Sequence, residues 1–415
     1  MSDVSPSQLA EEAGEWLDDQ WDDQLTVGEW WARLADKKYS HPMLPVEGGG
    51  LGWGRAQTNA VRQVMAERGV MGPPTGLGMM LAAPTIAAHG SPEQIERWVP
   101  PILKGEHAWC QLFSEPNAGS DLAGLQCKAD KDGDEWTING QKVWTSGGQI
   151  ADMGMLIART DPDAPKHRGI TWFSFEMDQP GVDVRPLREM TGRALFNEVF
   201  IDNGKVAHDA IVGGEGEGWR VANTTLLVER QSLGSSMVPL SSARPGGVRG
   251  QLDETCAAVL GQKERKGEDG VPSVGPSLIE RYRKLAIEQG RWDDPLVRDA
   301  LMHFHTLIQV NRMLALRARS GAVPAFGSLA KLGSSELYRL AGSVGNMIIG
   351  ADGMLLGDDT ASDGVVQELT QFAPGPAIYG GTDQVQRNIL GERFLGLPKE
   401  PGPSKDTPFS QLEKN

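Results

Sequence analysis

The chain has 415 residues, 39% of them apolar and 23% charged, more than one hydrophobic core usually organises, which predicts two or three packed units in a soluble chain. Its 40 basic and 55 acidic residues leave a formal charge of −15, which excludes a chain built to grip nucleic acid or an anionic membrane. No stretch approaches the roughly 18 apolar residues of a membrane span, and the acidic start MSDVSPSQLAEEAGEWLDDQW lacks the basic and apolar regions of a secretory signal, so a cytoplasmic location is expected. Cys110, Cys127 and Cys256 show neither metal-ligand nor disulfide spacing and read as buried small apolar residues. The seven histidines do not cluster either, since His303 and His305 point to different helix faces, and no metal is expected.

Up to about residue 108 the apolar spacing predicts helices over 8–18, 27–36, 56–68 and 92–103, separated by Gly and Pro clusters. The last has the clearest start: Ser91 reads as N-cap, Pro92 suits the first helical position, and Gln94 completes a capping box. Between about 109 and 212 the runs become short and rich in β-branched and aromatic residues. Asn139-Gly140, between 136–138 and 141–144, predicts a hairpin with a two-residue type I′ turn, and 153–159, 170–177 and 198–202 read as further strands. Helical periodicity returns from Gly218, over 219–238, 295–319, 336–349 and 382–395. Residues 242–277, which include KERKGEDG, read as a solvated, mobile connection with one short helix near 251–260, and the polar tail from Pro398 is expected to be loosely held. The predicted fold is multidomain α+β, with an N-terminal helical domain (1–108), a middle β-barrel-like or sandwich domain (109–212), a C-terminal helical bundle (213–397) and a tail (398–415).

Two segments carry recognisable chemistry. In QLFSEPNAGSDLAG (111–124) small residues free backbone N–H groups for a ligand, and Ser114 and Ser120 add hydroxyls. In KVWTSGG (142–148) a large aromatic beside hydroxyls at a strand end suits a planar ring system.

With IYGGTDQVQR (378–387), these segments resemble the acyl-CoA dehydrogenase family in identity, order and spacing. SEPNAGSD is similar to its first signature, KVWTSGG to its flavin-contacting strand, and IYGGTDQVQR to its C-terminal signature. AHDAIVGGEGEGW (207–219) resembles its passage from β-domain to C-terminal helices, so the likeness spans roughly residues 50 to 397. The resemblance implies FAD as cofactor. It puts the backbone of Gln111 and Phe113 and the Ser114 hydroxyl at the flavin ring, Gly119 and Ser120 near phosphate or substrate, and Trp144 and Ser146 on the ring's other side. Thr382 and Gln384 match FAD-touching positions, some made across a subunit interface.

Removing a proton α to a thioester while hydride leaves the β-carbon needs a carboxylate in a dry pocket. In the medium- and short-chain branches it immediately precedes the Gly-Thr pair of the C-terminal signature, where this chain has Gly380. The isovaleryl-CoA and long-chain branches place it on the first long C-terminal helix before an arginine, which here is Glu229 before Arg230. The resemblance therefore implies Glu229 as base, flavin N5 as hydride acceptor and the Gly380 N–H as a donor to the thioester carbonyl. It sets Ser120, Leu227, Arg230, Gly380 and Gly381 on the substrate side. Burial would raise the pKa of Glu229, and an inward Arg230 would oppose that rise. A bare Gly380 leaves room for a long, branched or bulky acyl group.

The likeness departs from the family where the adenosine half of FAD binds. The usual Arg-Lys-Thr-Phe-Gly segment is absent, Met347 stands for the usual Gln, and Arg291 is the replacement phosphate partner. The expected activity is FAD-dependent dehydrogenation of an acyl-CoA by a homotetramer or hetero-oligomer, with an electron-transfer flavoprotein as acceptor. The alternatives are a subunit of a hetero-oligomer of the sterol side-chain type and a non-catalytic partner in which Glu229 is a surface residue. The acidic charge opposes the family's DNA-associated branch.

Overall fold

The structure is a computed structural model that describes residues 4–232, 237–262, 274–318, 323, 325–357 and 360–413. The KERKGEDG stretch lies outside the described residues. The first helices are α1 (Pro6–Gln20), α2 (Val27–Asp36), α3 (Arg55–Glu67), α4 (Ala83–His89) and α5 (Pro92–Leu103). Capping boxes start α1, α2 and α5, and in α5 the Ser91 Oγ accepts from Gln94 N–H at 3.2 Å while Gln94 Oε1 accepts from Ser91 N–H at 3.0 Å. Trp30 and Trp31 fill the core among α1, α2 and α3, their indole N–H groups donating to the Met71 and Gly72 carbonyls at 2.9 Å. A π turn, Gly78–Ala82, runs directly into α4 and was not legible from periodicity.

The middle region is a seven-stranded sheet: β1 (Trp109–Leu112), β2 (Lys128–Asp132), β3 (Glu135–Ser146), β4 (Met153–Arg159), β5 (Ile170–Glu176), β6 (Val182–Leu187) and β7 (Phe196–Ala207). The order is β1-β4-β2-β3-β7-β6, with β5 added on β4. Strand β4 pairs in parallel with β1 and then β2 and antiparallel with β5, and every residue of it is buried. That explains its apolar run from Met153 to Ala158, which ends at a buried Arg159.

The Asn139-Gly140 hairpin is not formed. Both residues lie inside β3, and the tight turn comes earlier, at Gly133 (φ 64°), where Asp132 faces Glu135. The dipeptide instead makes a register shift against β7, with Asn139 Oδ1 accepting from Asn203 N–H at 2.9 Å. A Cβ at Gly140 would meet the Cys127 Cα at 2.8 Å, so close strand approach, not a turn, uses this glycine.

Beyond the sheet, α6 (Gly218–Ser232) packs on α4 and β5. Residues 237–262 are not a solvated connection: they return to the N-terminal helices, where Ala243 and Cys256 enter the tryptophan core and Val27 and Gly28 donate to the Glu254 and Leu252 carbonyls at 2.9 Å. Apolar Leu240, Leu252 and Val259, spaced among the glycines, supply the driving area. This return includes α7 (Cys256–Gly261). Helices α8 (Pro276–Glu288), α9 (Pro295–Ala318), α10 (Phe326–Ile349) and α11 (Val365–Phe372) form a third core around Tyr282, Phe304 and Val344, followed by α12 (Asp383–Ile389).

The tail is also held, contrary to expectation. Phe409 and Ser410 N–H donate to the Ala164 and Pro162 carbonyls at 3.0 and 2.8 Å, and the Arg159 guanidinium lies 3.8 Å from the Phe409 ring centre. One aromatic in a polar segment is enough to anchor it on a cation.

Candidate active site

The loop leaving β1 is bound to β3 by backbone and buried charge together. Val143 N–H donates to the Ser114 carbonyl at 2.9 Å. Beside it the wholly buried Lys142 ammonium donates to Glu115 Oε1 at 2.8 Å and to the Phe113 carbonyl at 3.1 Å. Glu115 also accepts from the Gln126 and Cys127 N–H groups at 2.7 and 2.9 Å. Buried charges persist only when paired and hydrogen-bonded, so this cluster fixes the Ser114 loop against the Trp144 strand.

At Trp144 the backbone takes φ 61°, an outlier for a bulky side chain, and the ring is 57% exposed, edge-on to Phe196 at 5.8 Å. A strained, outward-turned indole at a strand end is built to receive a flat partner.

Glu229 sits near the end of α6, half-buried, hydrogen-bonded to the Gln111 side chain from β1. Burial pushes its carboxyl above the ordinary carboxylate range, against Arg230 and the Gln111 bond, which pull it down. Arg230 is itself lowered by burial, with Glu229 opposing and Arg393 adding to the shift.

The C-terminal signature arrives on a pair of left-handed glycines, Gly380 (φ 65°) and Gly381 (φ 80°), a conformation that disfavours side chains. Gln386 Nε2 donates to the Gly380 carbonyl at 2.9 Å, Thr382 caps α12 by accepting from Val385 N–H at 3.2 Å, and Ser120 Oγ donates to Thr382 Oγ1 at 3.5 Å. Behind them buried Asp383 accepts from Lys331 Nζ at 2.8 Å, Ser335 Oγ at 2.8 Å and Arg339 Nη1 at 3.1 Å. Burial raises its carboxyl, but these donors outweigh it and the net shift is downward.

The structure thus joins Gln111 to Glu229 and Ser120 to Thr382, both through one short stretch of chain. Phe113, Ser114, Trp144 and Ser146 lie on the two segments that Lys142 and Glu115 tie together. Gly119, Leu227 and Gln384 are exposed. Arg291 stands apart, paired with Asp294 at 2.7 Å before α9. The Lys142–Glu115 and Asp383–Lys331 pairs were missed, because charged residues in sequence read as solvent-facing.

The exposed Trp144, the hydroxyls of Ser114, Ser120 and Ser146, and open space where a Cβ at Gly119 would stand fit a flat ring system with a phosphate tail. These residues fit FAD. Among the described residues no group of His, Cys, Asp and Glu could hold a metal ion, and no helix is long and apolar enough to cross a membrane.

Residues 5–106, 110–204 and 278–395 match in turn the family models for the N-terminal, middle and C-terminal domains of acyl-CoA dehydrogenase. Acyl-CoA dehydrogenase IpdE1 of Mycobacterium tuberculosis is 34% identical over 376 residues, 89% of this chain and 88% of that one. Acyl-CoA dehydrogenase FadE34 of the same organism is 37% identical over 366 residues, 88% of this chain but 46% of that one. Among solved structures, the ChsE4-ChsE5 complex from Mycobacterium tuberculosis matches with TM-score 0.66 at 25% identity, covering 96% of this chain and 100% of that one. With all three domain models matched in order on a chain whose site fits a flavin, the protein belongs to the acyl-CoA dehydrogenase family of FAD-dependent oxidoreductases.

Proposed function

We propose that the chain dehydrogenates a long, branched or bulky acyl-CoA thioester, with Glu229 as the base that takes the α-proton. The observation that carries this reading is the desolvated Glu229 carboxyl held on Gln111, a residue of the strand that leads into the first signature. A carboxylate raised toward the working pH is a better acceptor of a weakly acidic C–H proton than an exposed one. The Gly380 N–H donates to the thioester carbonyl, which stabilises the enolate charge that forms as the proton leaves. Ser120, Leu227, Arg230 and Gly381 line the substrate, and Arg230 limits how far the Glu229 carboxyl rises. When bound, FAD supplies the acceptor for the hydride that departs from the β-carbon. Electrons then leave to an electron-transfer flavoprotein. Glu229→Gln tests the assignment: the variant is expected to keep its yellow colour and lose flavin bleaching by acyl-CoA by several orders of magnitude, and near wild-type bleaching refutes it.

A second reading makes this chain one subunit of a hetero-oligomer that shares the FAD site. Arg291 is engaged by Asp294 and Met347 replaces the expected glutamine, so adenosine contacts on this chain are thin. The similarity to a two-protein complex and to a relative about twice as long supports it. A colourless protein that turns yellow only with a partner selects this reading.

A further inference from the structure

Arg159, the last residue of β4 and 3% exposed, lies between the docked tail and the first signature. Its Nη1 donates to the Lys166 carbonyl at 2.7 Å, and its Nη2 to the Ala123 and Leu125 carbonyls at 2.7 and 3.3 Å. The Phe409 ring completes the set at 3.8 Å. Three carbonyls and a ring therefore hold this buried charge, with no carboxylate bonded to it among the described residues. Burial lowers its pKa to about 10, with Glu115, Asp161 and Asp121 opposing, so the guanidinium stays charged near neutrality.

Two of those carbonyls end the segment that runs out of Ser120. Asp121 follows it, and the tight turn Leu122–Gly124 is closed by Gly124 N–H donating to the Asp121 carbonyl at 2.8 Å and Leu125 N–H to the Leu122 carbonyl at 3.1 Å. At its start the Asp121 carboxylate accepts from Lys166 Nζ at 2.5 Å, and at its end Arg159 takes the Ala123 and Leu125 carbonyls. The tail is pinned to the same β4–β5 connection, where Ser410 Oγ donates to Asp163 Oδ1 at 2.9 Å beside the two backbone bonds. A ring over a guanidinium attracts the charge and keeps water off it, and hydrogen bonds kept dry are stronger. Without the ring, water reaches the Arg159 N–H groups and competes for them with the Ala123 and Leu125 carbonyls.

We propose that Phe409, acting through Arg159, is a positioning residue for the FAD-binding loop: the docked tail holds Leu122–Gly124, and with it Ser120, in the arrangement that grips the cofactor. The proposal rests on the placement of FAD at the Ser114–Ser120 loop. Tail docking and FAD binding are then coupled, and the coupling is reciprocal, so bound FAD also holds the tail down.

The test titrates FAD into the flavin-free full chain and its variants and reads Kd from flavin fluorescence. Phe409→Ala should raise Kd about 5- to 30-fold, the range of one desolvated cation–ring contact. Phe409→Tyr, which keeps the ring, should restore the wild-type Kd, and Phe409→Leu, which keeps only apolar bulk, should not. In an Arg159→Gln background Phe409→Ala should have no further effect, because the residue it acts through is gone. Should Arg159→Gln fail to fold, the wild-type chain supplies the second reading: saturating FAD should slow protease cleavage of the tail by a similar factor. An unchanged Kd in Phe409→Ala, rescue by leucine as complete as by tyrosine, additive losses with Arg159→Gln, a tail that FAD does not protect, or a wild-type chain that binds no FAD unaided each overturns the proposal. Ser120→Ala reads the cofactor placement by itself: an unchanged Kd there removes FAD from that hydroxyl, while the Phe409 ratios are judged on their own. None of these titrations passes through Glu229, so the fate of the base assignment does not bear on them.

Discussion

Lys142→Met isolates what the buried pair does. The substitution keeps most of the stem and removes an ammonium with no exposure, leaving Glu115 (9% exposed) without its counter-charge and the Phe113 carbonyl without its 3.1 Å donor. Breaking one side of a buried pair costs about 3–5 kcal/mol. Glu115 keeps two backbone donors, at 2.7 and 2.9 Å, which puts the expectation at the low end, about 3 kcal/mol. For 415 residues, with an unfolding entropy of about 0.9 kcal/mol/K, that is a fall in Tm of roughly 3–4 °C. Because the same lysine ties the Ser114 loop to the Trp144 strand, FAD content should fall with it. The double variant Lys142→Met/Glu115→Gln removes both charges and should recover part of the loss, so a thermal-shift cycle with flavin absorbance reads both effects. A loss below about 1 kcal/mol with full FAD content, or a double variant worse than the sum of the singles, refutes the reasoning.

Glu229 makes a pH prediction. Its carboxyl is raised by burial, so its stabilising contribution is full below the ordinary value of 4.5 and is lost as pH rises through the raised value. Glu229→Gln should therefore raise Tm relative to wild type near pH 8 and not near pH 4, and an equal gain at both would contradict the desolvation. Asp383 has the opposite sign: its carboxyl is depressed, so its contribution is present above the ordinary value of 3.8 and lost as pH falls through the lowered one. Asp383→Asn strands buried Lys331 and should cost about 3 kcal/mol, partly restored by Lys331→Met; no restoration would mean that the pair is not coupled. Phe409→Ala removes the ring that packs on Arg159 and should cost about 0.5–2 kcal/mol while speeding protease cleavage of the tail, with unchanged cleavage counting against the docked tail.

Local signals in the sequence carried far where structure is made locally. The helices over 27–36 and 92–103 begin and end where their apolar spacing and, for the second, its capping box put them, because a capping box and an amphipathic stripe need only neighbours within a few residues. The strand over 153–159 was equally legible, since a strand buried on both faces is apolar along most of its length, here from Met153 to Ala158. The order of three signatures identified the family, and a glycine at 380 together with a glutamate before an arginine at 229 was visible as residue identity alone.

What depended on partners distant in the chain was decided by the tertiary structure. Asn139-Gly140 has strong turn chemistry, yet β2 and β7 flank β3 on both sides, and their ladders outweigh a two-residue preference. The glycine-rich stretch after α6 and the polar tail looked solvated because a handful of apolar residues is diluted in composition, but the N-terminal core had places for Ala243 and Cys256, and the Arg159 guanidinium offered a seat to Phe409. Charge is the sharpest case: Lys142, Glu115, Lys331 and Asp383 are ordinary surface letters until folding brings each its counter-ion and strips away water. The same desolvation, supplied by β1 and the helices around α6, turns Glu229 from a helix glutamate into a carboxyl with a raised proton affinity, because burial is a property of the assembled neighbours and not of the residue.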